Sequence, residues 1–289
     1  MRVGRGRRPA ARSHAERLAS RDGYFPPESV VRRVGNSPLV PLLGGGAAVL
    51  LQVAHPLVAA GVTEHSDFKD DLWRRLVRTL NALYLIVYGT KEEADRAGEV
   101  VQAVHRRVRG RTTTRLGVFP AGTPYSASDP ELMLWVHATL VETSLVLYRR
   151  FVHRLSPEEQ EAYYRDMARV ARIFGTPQDV LPETLGDFRS YLAERFASEE
   201  IGVTQPAREV AEVILRASGL PAPLRMIAPV HRLSTAALLP PRLRREYGLG
   251  WNVRQALALR GGAGSLRLAA APLLLVASHV AAPPPVPSR

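Results

Sequence analysis

The sequence predicts an all-α protein, a single-domain bundle of many helices with one long loop. Three observations lead there. Period-2 alternation of apolar and polar residues is hard to find, whereas apolar residues recur at helical spacing through most of the chain. The 289 residues are 46% apolar, enough to bury one substantial core. Capping residues open the periodic stretches, and glycine or proline closes them, at lengths normal for helices.

Residues 1–34 read as a basic, largely disordered arm, with nine arginines against three acids. The opening MRVGRGRRPAARSHAERLAS has no apolar run behind its positive charges, so it is not read as a secretory signal and a cytoplasmic location is expected. Residues 35–260 are expected to form the helical domain, and 261–289 an apolar helix with a proline-rich tail. Leu39 to Val62 carries no Asp, Glu, Lys or Arg over 24 residues, which is long enough to span a membrane. Gly44-Gly45-Gly46 interrupts that run, and Gln52, His55 and Pro56 penalise a lipid-facing helix, so a buried core helix over 46–61 is expected instead. Further helices are expected at 67–88, 91–109, 130–153, 157–173, 183–197, 206–217 and 223–238, with weaker ones at 241–246, 251–260 and 265–279. Thr90 before Lys91-Glu92-Glu93, Asp129-Pro130-Glu131, Ser156-Pro157-Glu158-Glu159 and Thr184-Leu185-Gly186-Asp187 supply the starts. Residues 110–128 form the longest stretch without periodicity, at a length where loops are often lids or binding segments.

The formal charge of +12 sits at the ends, +6 over 1–34 and +8 over 220–289, leaving −2 for the middle. Of 39 basic residues 37 are arginine, which together with abundant Ala, Pro and Val reads as the coding bias of a GC-rich genome. No specific nucleic-acid partner is expected, and the basic ends leave peripheral contact with an anionic membrane open.

The absence of cysteine excludes a disulfide framework, a zinc ribbon, an iron–sulfur cluster, a thiolate-ligated haem and a cysteine nucleophile. Any metal must therefore rest on histidine or carboxylate. His105 shares a helical face with Ala94, Gly98, Val101 and Val108, and Gly98 is expected to keep one turn thin enough for a flat macrocycle. Neutral imidazole is a common axial donor to haem iron, though a core histidine fits the same pattern. Arg75, Arg78 and Thr79 fall on one face at i, i+3 and i+4, suited either to haem propionates and a distal pocket or to solvent. His55, His65 and His137 show no metal-ligand spacing, and each fits a cap, a core position or a cofactor edge. No dinucleotide fingerprint, Walker loop or nucleophile elbow is present.

In order along the chain stand Gln52-Val53-Ala54-His55-Pro56, Gly61-Val62, Glu64-His65-Ser66, Arg75-Leu76-Val77-Arg78-Thr79, Tyr88-Gly89-Thr90, Val104-His105-x-x-Val108-Arg109-Gly110 and Asp129-Pro130-Glu131-Leu132-x-x-Trp135-Val136-His137-Ala138-Thr139-Leu140. Over roughly residues 35–250 this series resembles the MpaB-like oxygenase family, which includes the latex clearing proteins, haem b dioxygenases that cleave polyisoprene. The resemblance implies haem b, with His105 as proximal iron ligand and Arg75, Arg78 and Thr79 over the distal side. His65 and His137 are further cofactor-binding candidates. It also implies dioxygen and an apolar, alkene-bearing or isoprenoid-like substrate. The chain departs from the rubber enzymes where Arg78 replaces their lysine, because a guanidinium stays protonated and cannot ligate iron. Two other readings remain: a haem-binding or haem-sensing protein without turnover, and a cofactor-free helical protein that associates through its arginine-rich ends.

Overall fold

The computed structural model describes residues 13–65, 72–216, 228–257 and 259. Helix α3 (Leu39–Val53) is the axis of the core. It packs between α7 (Pro130–Leu147) and α11 (Ala228–Leu238). The glycine triplet does not interrupt it. A Cβ on Gly44 would lie 3.2 Å from Thr143 and Leu147 of α7, and one on Gly46 would lie 2.5 Å from His231 and Thr235 of α11. These two glycines therefore let helices approach α3 from either side. The predicted helix 46–61 is in fact two helices, since α3 ends at Val53 and α4 (Pro56–His65) leaves at 105°. The physical cause is at the corner: Pro56 has no N–H to continue the helix, and His55 Nδ1 accepts the free Leu57 N–H at 3.3 Å. Among the described residues no single helix is long and apolar enough to cross a membrane.

Trp135 is fully buried and donates its indole N–H to Gln52 O at 3.1 Å, locking α7 to the end of α3. Helices α5 (Leu72–Tyr88) and α6 (Lys91–His105) form a hairpin through Gly89-Thr90. Thr90 and Glu93 cap α6 reciprocally. The same reciprocal cap starts α8 (Pro157–Ile173) at Ser156 and Glu159, and α9 (Leu185–Ala197) at Thr184 and Asp187. Helices α10 (Gln205–Arg216) and α12 (Pro241–Glu246) also belong to the described bundle, and residues 253–257 are helical as well. The predicted 130–153 helix keeps its α geometry only to Leu147 and closes with a π turn, Tyr148–Val152.

Two expectations need correction. The loop 110–128 contains a small antiparallel ribbon, β1 (Arg109–Arg111) and β2 (Pro124–Ser126), in which Gly110 pairs with Tyr125. Helix α6 accordingly stops at His105 and not at 109. The arm is also not free over 13–34. Here α1 (His14–Ala19) and α2 (Val30–Gly35) dock on the bundle, with Phe25, Val31 and Val34 buried. Arg17 pairs with Glu93 at 2.6 and 2.8 Å. The Arg32 guanidinium donates to the carbonyl of Val87 in α5 and to those of Leu18 and Ser20, so two of the segment's charges and three of its apolar groups have partners in the fold. The predicted helix 265–279 and the tail beyond it lie outside the described residues.

Candidate functional site

The ends of three helices and the ribbon converge. Arg75 lies 13 residues before Tyr88 and His105 lies 14 after Lys91. In a hairpin rising ~1.5 Å per residue both are about 20 Å from the connection, at the same end. Three residues beyond His105, Val108 meets α4, since a Cβ on Gly61 would lie 3.4 Å from Val108 Cγ1 and 3.7 Å from the Tyr125 ring. The last turn of α4 then presents Glu64 and His65 to Tyr125. The Tyr125 hydroxyl donates to Glu64 at 2.5 Å and lies 3.1 Å from His65 Nε2. Burial, reinforced by the Glu64 carboxylate, raises the Tyr125 pKa, so this phenol keeps its proton at neutral pH. The arrangement is a short hydrogen-bonded chain, able to hold a proton between a carboxylate, a phenol and an imidazole.

His105 is half-buried at the last position of α6. Arg78 and Thr79 are exposed on α5, while the side chain of Arg75 lies outside the described positions. Gly98 does not serve as expected. A Cβ there would lie 2.4 Å from the carbonyl oxygen of Ile173, so α8 fills the thin turn of α6 and leaves no room for a macrocycle at that level. One turn further along α6, Gln102 donates to the same Ile173 carbonyl at 3.0 Å. His105 lies one turn beyond it.

The other histidines separate into distinct roles. His55 is the corner cap described above and stacks on Phe119, its ring centroid 5.5 Å away. His137 is 6% exposed, and its Nε2 has no hydrogen-bond partner among the described residues. Burial pushes the pKa of both down to about 4, so both are neutral imidazoles. His231, which the sequence pattern did not single out, bonds Leu42 O through Nδ1 at 3.0 Å against the Gly46 face of α3. Tyr125 was missed as well, because it sits in a segment without periodicity and meets its partners across 60 residues of chain.

Among the described residues no three His, Asp or Glu side chains come together as a metal cage. What the described residues offer is single imidazoles, neutral at His55 and His137. That donor set suits an iron already held by four porphyrin nitrogens, which asks the protein for one axial ligand. The orphaned Nε2 of His137, sealed in the core, is a second group of the kind that a buried cofactor satisfies.

The family profile described as the ER-bound oxygenase mpaB/B'/rubber oxygenase catalytic domain matches residues 32–268. Uncharacterized proteins of Mycobacterium bovis and Mycobacterium tuberculosis are each 28% identical over 229 residues, covering 77% of this chain and 86% of theirs. No solved structure matches.

Proposed function

Because the chain belongs to the mpaB/rubber oxygenase catalytic-domain family, we propose that it is a haem b-dependent oxygenase acting on an apolar, alkene-bearing substrate. The observation that carries this reading is the span of the match, which takes in every site residue discussed above. When bound, the haem iron supplies the redox chemistry with dioxygen.

The chain's own residues have separate tasks in this reading. His105, at the open end of the α5–α6 hairpin, would hold the haem iron through its imidazole. Arg75 and Arg78 donate to the propionate carboxylates or to the distal side, with Thr79 as a hydroxyl donor. Neither arginine can ligate the iron, since a guanidinium offers five N–H donors and no free lone pair. Arg78 would therefore leave iron ligation to other groups, whereas Arg78→Lys would add an amine able to ligate once deprotonated. The Glu64–Tyr125–His65 chain holds a proton at the edge of the same region. His137 contributes its free Nε2 from the core side.

The test is the visible spectrum of the protein expressed with a haem precursor, followed by oxygen uptake with an apolar polyene. A Soret band and substrate-dependent uptake are expected. A Soret band without uptake favours a haem-binding protein that does not turn over, and colourless protein rejects the reading.

A further inference from the structure

Charge in the middle of the chain is not evenly spread. Residues 100–128 hold five arginines and no acid, whereas the remainder of 35–219 carries −7. All five, Arg106, Arg107, Arg109, Arg111 and Arg115, are exposed. None takes part in the ion pairs formed among the described residues, which use Arg17, Arg21, Arg33, Arg195, Arg216 and Arg242. Arg111 and Arg115 reach only the backbone carbonyls of Gly122 and Gly117.

Exposed apolar residues accompany them. Val100 is 60% exposed and Val104 54%, one turn apart on the same face of α6, and the exposed Arg106 and Arg107 follow in the turn just beyond its end. In β1, Gly110 lies over the Tyr125 ring, so Arg109 and Arg111, exposed on either side of it, project from the outer face of the ribbon. At the ribbon's far end Val118 is 39% exposed beside Arg115. Arginines without acids, interleaved with bare valines, match the boundary of an anionic bilayer, where guanidinium groups meet headgroup phosphate and carboxylate and the methyl groups enter the acyl edge. A nucleic acid fits less well. It gains nothing from exposed valines, and the aromatic residues that would stack bases here are occupied, Phe119 against His55 and Tyr125 against α4.

We propose that the end of α6 and the outer face of the ribbon form a docking surface for an anionic phospholipid membrane. The surface borders the helix ends where His65 and His105 lie, so docking presents that region to molecules dissolved in the bilayer. This last consequence rests on the oxygenase reading; the binding itself does not, and its test needs no haem.

The full-length protein is sedimented with vesicles of phosphatidylcholine, with and without phosphatidylserine. Arg106→Ser/Arg107→Ser/Arg111→Ser is compared with Val100→Ser/Val104→Ser, and Arg109 is kept because it belongs to the His105 motif. All five positions are exposed, and circular dichroism verifies that each variant is folded. Wild type is expected on phosphatidylserine vesicles only. At about five-fold per arginine the triple variant partitions about 100-fold more weakly. The valine variant weakens vesicle binding several-fold and leaves binding to a duplex DNA probe unchanged. The proposal is overturned if the triple variant binds vesicles like wild type, which would assign adsorption to the basic ends. It is equally overturned if wild type binds both vesicle types alike, or if the valine variant binds phosphatidylserine vesicles like wild type, which would describe a general polyanion site.

Discussion

Adjacent glycines of α3 should respond in opposite directions to the same substitution. Nothing lies within 4 Å of a Cβ built on Gly45, so Gly45→Ala collects the helix-propensity gain of ~1 kcal/mol without a clash. Gly46→Ala has the same gain, but its methyl would lie 2.5 Å from His231 Nε2 and from Thr235 Oγ1 and 2.7 Å from His231 Cε1. Overpacking of this kind costs ~1–3 kcal/mol. Displacing the imidazole also strains its 3.0 Å bond to Leu42 O, a further ~1 kcal/mol. The net is a stabilisation of about 1 kcal/mol for Gly45→Ala and a loss of roughly 1–3 kcal/mol for Gly46→Ala. Urea unfolding followed by far-ultraviolet circular dichroism reads both, and melting temperatures should separate by several degrees. His231→Ala placed in the Gly46→Ala background should recover part of the loss. Equal stabilities for the two alanine variants would refute the packing of α11 against α3.

Phe25 is fully buried, so Phe25→Ala should cost ~3–5 kcal/mol, and a chain starting at Ser37 should unfold at markedly lower urea because it also loses Val31, Val34 and the Arg17–Glu93 pair; unchanged unfolding of either would show that the docked arm is dispensable. His55 and His137 have folded pKa values of about 4 against 6.5 when free, so the unfolded chain binds more protons between those values. Stability should therefore be flat above pH ~6.5 and fall on acidification toward pH ~4, by up to about 3 kcal/mol per histidine, and His137→Asn should flatten the slope of the apo-protein. Tyr125→Phe should cost ~1–2 kcal/mol by removing the hydroxyl that joins Glu64 and His65. Because a Cβ on Gly110 would lie 2.5 Å from that hydroxyl, Gly110→Ala should be less damaging in the Tyr125→Phe background than alone; additive losses would contradict the geometry.

Local signals carried much of the fold. Thr90, Asp129, Ser156 and Thr184 each cap a helix where the capping pattern places one, because such a cap is decided within four residues. The same local logic failed at Gly44-Gly45-Gly46. Read along the chain, three glycines are a breaker; in the fold, two of them answer to helices whose residues are about 100 and 190 positions away. The docked segment 13–34 was illegible for a related reason, since its arginines look solvated until Glu93 and the carbonyl of Val87 are brought to them. At the site, the helical face of His105 is visible in the sequence, and its role as iron ligand is the proposal made above. The small residue on that face, Gly98, serves the contact with α8 and not a cofactor. Tyr125 had no local signature, and the Glu64–Tyr125–His65 chain exists only because the ribbon folds back on α4.

The most direct test of the account is the Soret absorbance per polypeptide of wild type, His105→Ala and His137→Ala, all expressed with a haem precursor and checked for helicity. His105→Ala should lose most of the haem while staying folded. His137→Ala, which removes a buried imidazole of α7, should remain red. A colourless His137→Ala beside a red His105→Ala would move the ligand to α7 and contradict the assignment. Colourless wild-type protein would contradict the haem reading altogether.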